Sequence, residues 1–259
     1  MDKKILEEKF LEFCKHLTEV VCDETRHWTI KGFIDTSKNI YTISQDTKII
    51  SKILEIHIFP ELIKFANENG FDIVLADHQN YYPDMTFVLK EDTTIKYAVD
   101  IKTTFIRGSR AGFTLGSHGA YFINRESTKN IQFPYNQYKA HYCLGILYER
   151  NEKADERIVY RFSDLEKISS VIKNMQFFFQ EKWKIASDKQ GSGNTANIGS
   201  ASNIADLKGG TGIFTKYEDG ERLFDDYWMN FNKISVTDKD GKVKKINTLS
   251  EFLKYRGEK

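Results

Sequence analysis

The chain has 259 residues, of which 29% are charged and 14% aromatic, and only 16 are glycine and 3 proline. This composition excludes a disordered or collagen-like chain, and the formal net charge of +1 argues against a histone-like binder of nucleic acid. No apolar run approaches the roughly 18 residues that a membrane span needs, and the charged first residues do not match a signal peptide. The three cysteines are scattered, without a zinc-binding spacing. We therefore expect a soluble protein of the cytoplasm.

Charge is distributed unevenly along the chain. Residues 1–100 hold 12 basic and 18 acidic side chains, a net charge of −6, whereas residues 101–150 hold 7 basic and 2 acidic ones, a net charge of +5. Residues 151–259 hold 19 basic and 17 acidic side chains, a net charge of +2. A polyanion would therefore be bound by the middle and C-terminal parts. By itself, the asymmetry favours an ordinary mixed surface over a binding site for a polyanion.

Two amphipathic helices are predicted at the start of the chain. Residues 3–21 place apolar side chains at three- and four-residue spacing. A second such pattern begins after Thr47, which we predict as its N-cap, and is expected to stop at Gly70. Proline lacks the N–H that a helix interior needs, so Pro60 should kink or split this second helix.

The period of the apolar pattern then changes to two. Residues 71–76, 85–89 and 95–106 are predicted strands, the last two joined by a turn at 91–94, and alternation returns at 142–148 and 158–162. The segment 187–212 is rich in Gly, Ser, Asn and Thr and predicts a long loop, for which function or disorder is the usual explanation. These elements predict an α/β (mixed α+β) fold, with a central mixed sheet flanked by helices and a loop-rich second half.

Two acids and a lysine carry the strongest chemical signal. Asp84 follows Tyr82-Pro83, and Asp100-Ile101-Lys102 comes sixteen residues later. Side chains alternate along a strand, so Asp100 and Lys102 share one face, and in a hairpin Asp84 converges with Asp100 at the open end. Two converging carboxylates repel unless a cation lies between them, and hard oxygen ligands suit Mg²⁺. Together with the lysine, they predict metal-assisted hydrolysis of a phosphodiester. A lone D-x-K triplet is more often a solvated ion pair.

Several ordered blocks extend this pattern and resemble the PD-(D/E)xK nucleases, and within them the EcoRV-type type II restriction endonucleases. The blocks occur in the family's order between Thr47 and Trp228, and the two ends of the chain match weakly. The blocks are Gln79 to Asp84, Val99 to Thr104, Thr128 to Ile131, Gln180 to Trp183 and Gly191 to Gly199.

The resemblance implies roles for individual residues. It implies that Asp84 and Asp100 bind Mg²⁺ and that Lys102 is the catalytic lysine, with the carbonyl of Ile101 and the helical acid Glu55 in supporting positions at the metal. An exposed helix acid is the simpler alternative for Glu55. His78 and His141 each stand alone, and we expect structural roles for them.

The resemblance also implies a DNA interface. Glycines let a backbone approach base edges, and Asn and Thr donate and accept in the major groove, where each base pair shows a distinct pattern. A flexible Ser/Gly linker is the alternative for this loop. The expected recognition loop consists of Gly191, Ser192, Gly193, Asn194, Thr195 and Asn197, in which Ala196 departs from the family's more polar sequence. The expected minor-groove loop consists of Gln79 and Asn80, and the expected phosphate or sugar contacts are Thr103, Thr104, Thr114 and Lys129.

A palindromic site and a two-fold protein match each other, so the resemblance implies a homodimer on bent duplex DNA. It further implies a site such as GATATC, cut bluntly at its flexible central TA step to leave 5′-phosphates, and a DNA methyltransferase that protects the host. The whole chain, 1–259, is expected to form one restriction-endonuclease-like domain. Its parts are N-terminal helix and dimerisation elements (1–46), a catalytic core (47–150) and a DNA-recognition half (151–259).

Two alternatives stay open on the sequence. The first is a structure-specific repair or recombination nuclease of the same superfamily, for which substitution of Asn194 and Asn197 should leave cleavage untouched. The second is a non-catalytic DNA-binding module, against which the complete set of Asp84, Asp100 and Lys102 argues.

Overall fold

The computed structural model describes residues 2–78, 80–191, 196–237 and 241–257. Five of the residues expected to contact DNA lie outside these ranges: Gln79, Ser192, Gly193, Asn194 and Thr195. Within the described ranges, no helix has the length and apolar character required to cross a membrane.

Six α-helices lie within the described ranges. They are α1 (Lys3–Val21), α2 (Thr47–Glu68), α3 (Ala120–Ile123), α4 (Ile204–Gly209), α5 (Gly220–Asn230) and α6 (Leu249–Arg256). The two predicted N-terminal helices are present, with one boundary corrected. The N-cap of α2 is Asp46, whose carboxylate accepts the N–H groups of Lys48 and Ile49 at 2.8 and 3.3 Å, and Thr47 is the first helical residue.

Pro60 does not split α2, which runs without interruption through it. The carbonyl that loses its helical donor belongs to Ile56, four residues earlier, on the exposed side of the helix where water can bond it. On the opposite side Ile58 and Leu62 are fully buried, and this packing holds the helix together across the proline.

Thirteen strands are described. They are β1 (Gly32–Ile34), β2 (Asn39–Thr42), β3 (Phe71–Leu75), β4 (Met85–Leu89), β5 (Lys96–Phe105), β6 (Thr114–Ser117), β7 (Tyr138–Arg150), β8 (Val159–Arg161), β9 (Ile172–Glu181), β10 (Ala186–Gln190), β11 (Asn197–Ser200), β12 (Ser235–Thr237) and β13 (Val243–Lys245). Five of them form the central sheet, in the order β3-β4-β5-β7-β9. All its neighbours are antiparallel except β5 and β7, so the predicted mixed sheet is confirmed.

The two faces of the central sheet carry different cores. Val99 and Ile101 of β5 point to one face and pack with α1 and α2, whereas Ala98 points to the other face and packs against α5, α6 and the small strands. Because side chains alternate, Asp100 and Lys102 emerge on the second face. The sheet therefore presents its acidic cluster toward the C-terminal half of the chain.

The prediction of a long loop at 187–212 is wrong for the described residues of this segment. Strands β10 and β11 pair as an antiparallel hairpin, and β6 extends it into a three-stranded sheet, followed by α4. The buried side chains of Ala186, Ile198 and Leu207 attach these short elements to the second core. The glycines and polar residues of this segment thus belong to a hairpin and its connections. A separate three-stranded sheet, β1-β2-β8, and the hairpin β12-β13 complete the described fold.

Candidate active site

The hairpin of β4 and β5 positions the two acids. Met85 pairs with Val99, so Asp84 and Asp100 come next at the open end of the hairpin. At its closed end, the Asp92 carboxylate accepts the backbone N–H of Thr94 at 2.9 Å and fixes the turn. The predicted convergence of Asp84 and Asp100 is therefore what the structure shows.

Short contacts tie the acids and the lysine together. The backbone N–H of Asp84 donates to Asp100 Oδ1 at 3.1 Å, and the N–H of Ile101 donates to Asp84 Oδ2 at 2.7 Å. Lys102 Nζ lies 2.9 Å from Asp100 Oδ2 and 3.8 Å from Asp84 Oδ2. One ammonium thus faces two carboxylates, and the three groups carry a net charge of −1 when all are ionised.

The electrostatics of this cluster favour a cation. Burial, followed by the negative charge of Asp100, raises the pKa of Asp84 to about 6. Burial lowers the pKa of Lys102, but attraction by Asp100 and Asp84 outweighs it and places this pKa above its ordinary value. Lys102 is consequently charged at neutral pH. Its single positive charge is not enough to keep the Asp84 carboxyl ionised in mildly acidic solution.

The donor set fits a hard divalent cation. The two carboxylates offer oxygen ligands at the open end of the β4–β5 hairpin, and 43% of the Asp84 side chain is open to water, which Mg²⁺ retains in its coordination sphere. Within the described ranges, no group of three or more His, Cys, Asp or Glu side chains is arranged to hold a metal.

The two predicted supporting ligands have different positions. Ile101 offers its N–H to Asp84, as described above, and a ligand role for its carbonyl stays a prediction. Glu55 lies on α2, where its carboxylate accepts from Lys52 at 2.7 Å. The charge of Glu55 still contributes to the raised pKa of Asp84, so this acid is close enough to influence the site without contacting it.

The predicted recognition loop forms the connection between β10 and β11. The N–H of Gly191 donates to the carbonyl of Asn197 at 3.0 Å and closes the base of the hairpin. A side chain at Gly191 would place Cβ 2.3 Å from Thr114 Cγ2, so only glycine fits beside β6. The described residues that flank Ser192 to Thr195 in the sequence, Gly191 and Asn197, thus bond to each other at a paired hairpin.

The remaining predicted DNA contacts lie in three settings. Thr104 follows the acids on the same face of β5, whereas Thr103 points to the opposite face and its hydroxyl is buried without a hydrogen-bond partner among the described residues. Asn80 and Lys129 are exposed on loops. Thr114 begins β6 and pairs with Gly199.

Sequence reasoning missed a buried polar group behind the acids. The hydroxyl of Tyr82 lies 2.9 Å from His141 Nδ1, and the Lys182 ammonium lies 5.0 Å from the centre of the Tyr82 ring. The sequence feature that could have indicated this group is the number of aromatic residues near it, among them Tyr121 and Tyr135, which stack in the same cluster. No spacing rule brings β7 and β9 to Tyr82, because their pairing is non-local.

Comparison with known proteins gives an assignment that covers most of the chain. The family described as restriction endonuclease EcoRV matches residues 24–257. The chain belongs to this family of restriction endonucleases. Type II restriction enzyme EcoRV from Escherichia coli is 36% identical over 249 residues, which are 94% of this chain and 98% of the relative. Among solved structures, NlaIV restriction endonuclease aligns over 79% of this chain and 69% of its own, with 11% identity and a TM-score of 0.45.

Membership in the family decides between the alternatives that the sequence left open. The protein is a type II restriction endonuclease, a site-specific deoxyribonuclease with DNA as its substrate. The predictions of a repair nuclease and of a non-catalytic DNA-binding module are set aside, and the expected restriction-endonuclease-like fold is confirmed.

Proposed function

We propose that the protein is a homodimer that uses Mg²⁺ to hydrolyse both strands of duplex DNA at a short palindrome. GATATC is the proposed site, cut bluntly at its central TA step to leave 5′-phosphates. The observation that carries the proposal is the grouping of Asp84, Asp100 and Lys102 within 3.8 Å on one face of the sheet. The 36% identity to type II restriction enzyme EcoRV supports the choice of sequence.

Asp84 and Asp100 would hold the metal, with the Ile101 carbonyl and Glu55 in support. When bound, Mg²⁺ supplies positive charge that polarises the phosphodiester and makes water a better nucleophile at neutral pH. The Ile101 N–H and the Asp84 N–H fix the orientation of both carboxylates before any ligand arrives. This preorganisation avoids reorientation of the carboxylates during the reaction.

Lys102 acts on the phosphate through its charge. Burial lowers its pKa, but attraction by Asp100 and Asp84 outweighs this, so in the metal-free protein the side chain is an ammonium that donates hydrogen bonds. As negative charge builds on the phosphoryl oxygens in the transition state, the ammonium stabilises it more strongly than it stabilises the ground state. Lys102 therefore should contribute mainly to kcat.

The β10–β11 hairpin would read the major groove through Gly191 to Thr195 and Asn197, while Gln79 and Asn80 approach the minor groove. Thr104, Thr114 and Lys129 would contact phosphates or sugars, which position the duplex without specifying sequence, whereas the buried hydroxyl of Thr103 faces away from the acids and is left out of the proposal. Bending at the flexible TA step would add discrimination at base pairs that the protein hardly contacts.

The small β1-β2-β8 sheet supports the proposed homodimer. Phe33 and Val159 are each more than half exposed and lie on one face of this sheet, on either side of Tyr41, which is 46% exposed. Such a concentration of large apolar side chains is typical of a protein–protein interface. A second copy of this chain is the occupant that a two-fold DNA site requires. In the cell, the proposed setting is the cytoplasm, with a methyltransferase that modifies the same site.

The proposal is tested by digesting a large DNA of mixed sequence with the purified protein, with and without Mg²⁺, and sequencing the fragment ends. Blunt ends centred on GATATC, formed only with the metal, are expected. Ends centred on another palindrome would contradict the proposed specificity alone. Cleavage that needs no divalent cation would contradict the roles of Asp84 and Asp100.

A further inference from the structure

Tyr82 lies two residues before Asp84 and is anchored at its backbone. Its N–H donates to the carbonyl of Asn130 at 3.1 Å, and its carbonyl accepts the N–H of Gln132 at 2.8 Å. Both bonds attach the main chain of Tyr82 to the same segment, 130–132. The side chain of Tyr82, which is 5% exposed, reaches into the second core beneath the catalytic face of the sheet.

His141 of β7 holds the Tyr82 side chain from the adjacent part of the sheet, where His141 pairs with Ala98 of β5. Burial, reinforced by the nearby charge of Lys182, lowers the pKa of His141 well below its ordinary value, so the ring is neutral. One ring nitrogen of a neutral histidine donates and the other accepts. Nδ1 lies 2.9 Å from the Tyr82 hydroxyl, which donates to it when the ring carries its hydrogen on Nε2.

The ring of Tyr82 is enclosed as well. It stacks on Tyr121 with the ring centres 5.2 Å apart, and the Lys182 ammonium lies 5.0 Å from its centre. Lys182 is only 3% exposed, and its ammonium has no hydrogen-bond partner among the described residues. Burial lowers the pKa of Lys182 to about 8, while the charge of Asp100 and the rings of Tyr82 and Phe122 favour its ammonium form.

We propose that Tyr82 and His141 form a positioning pair that fixes the Asp84 carboxylate opposite Asp100. This inference rests on the proposed function, in which both acids hold a divalent metal. Only Pro83 separates Tyr82 from Asp84, so a displaced tyrosine moves the acid. The contacts at stake are the 2.7 Å bond from Ile101 to Asp84 and the 3.1 Å bond from Asp84 to Asp100. Partners that orient a ligand in this way commonly decide metal affinity.

The test compares Tyr82→Phe with Tyr138→Phe. Each change removes one hydroxyl from a buried tyrosine, but the Tyr138 hydroxyl contacts Thr86 at 3.2 Å and the Phe133 N–H at 3.3 Å, away from Asp84. The main readout is Mn²⁺ binding to the DNA-free protein, followed by the loss of the free-ion electron paramagnetic resonance signal. We expect Tyr82→Phe to weaken Mn²⁺ binding about tenfold or more, and Tyr138→Phe to change it less than about twofold.

Metal-free affinity for a duplex containing the cleavage site should stay within about twofold of wild type in both variants, because both tyrosines are buried. A second pair of variants guards against a folding defect. The Asn oxygen in His141→Asn can replace the Nδ1 acceptor, whereas His141→Leu removes it. We expect normal Mn²⁺ binding for the first variant and weakened binding for the second.

Each outcome separates the two proposals. Equal weakening by Tyr82→Phe and Tyr138→Phe, or none by either, overturns the positioning role while the metal site stands. Weakened binding in His141→Asn equal to that in His141→Leu also overturns it. If the wild-type protein binds no Mn²⁺, alone or with duplex DNA, the proposed metal site itself fails.

Discussion

Replacement of Lys102 by methionine isolates the charge of the catalytic lysine. Methionine keeps most of the aliphatic stem, so the packing of this side chain, only 22% exposed, should be retained. Two unit charges about 4 Å apart near a protein surface interact by about 4 kcal/mol. The Lys102 ammonium sits 2.9 and 3.8 Å from the carboxylates that would hold the metal beside the reacting phosphate. Partial screening by solvent reduces this interaction to about 3 kcal/mol of stabilisation of the transition state. Removing it corresponds to a loss of roughly two orders of magnitude in kcat.

Single-turnover cleavage of a short duplex measures this loss, and fluorescence anisotropy measures duplex affinity. We expect kcat to fall roughly a hundredfold for Lys102→Met, while the dissociation constant changes less than about tenfold. Lys90→Met is a matched control, because Lys90 lies 3.6 Å from Asp72 at the end of β4 remote from the acids. A Lys102→Met variant with normal kcat would refute the reasoning, as would equal losses in the two lysine variants.

Asp100→Ala should keep its circular dichroism spectrum and lose Mg²⁺-dependent cleavage; surviving cleavage would exclude Asp100 as a ligand. Cleavage should decline as the pH falls through about 6, since protons then compete with the metal at Asp84, and more Mg²⁺ should move the midpoint to lower pH. Folding raises the pKa of Asp84, so its contribution to the free energy of unfolding of the metal-free protein should decrease as the pH rises from about 4 to about 6. This decrease should be absent in Asp84→Asn. Gly191→Ala should impair cleavage at the cognate site, because the alanine Cβ would lie 2.3 Å from Thr114 Cγ2. Adding Thr114→Ser removes that methyl group and should restore cleavage. A fully active Gly191→Ala variant would show that a side chain is tolerated at this position. Phe33→Asp should yield monomers in analytical ultracentrifugation, and a dimer of unchanged mass would place the interface elsewhere.

Local patterns were sufficient to predict the hairpin that brings the acids together. Residues 85–89 and 95–105 alternate, a turn joins them, and one pairing register then sets Asp84 beside Asp100. The two N-terminal helices followed from the spacing of apolar residues in the same way. The split at Pro60 was wrong because buried neighbours on α2, such as Leu62, offset one lost hydrogen bond.

Non-local pairing limited the rest of the prediction. Strands β10 and β11 are short, and their buried residues, Ala186 and Ile198, give too little alternation to distinguish strands from a loop. The contact between Tyr82 and His141 depends on the parallel pairing of β5 with β7, whose intervening segment contains β6 and α3. A structural role for His141 was predicted, but its partner could not be read from the sequence.

The central claim is that Asp84 and Asp100 jointly hold the catalytic metal. Crystals of the protein with a duplex containing GATATC, soaked in Mn²⁺ and measured for anomalous scattering, test it most directly. The account predicts an anomalous peak between the carboxylate oxygens of Asp84 and Asp100, next to the scissile phosphate and within reach of the Lys102 ammonium. A Mn²⁺ ion bound at other residues, with these two carboxylates uncoordinated beside the phosphate, would contradict it.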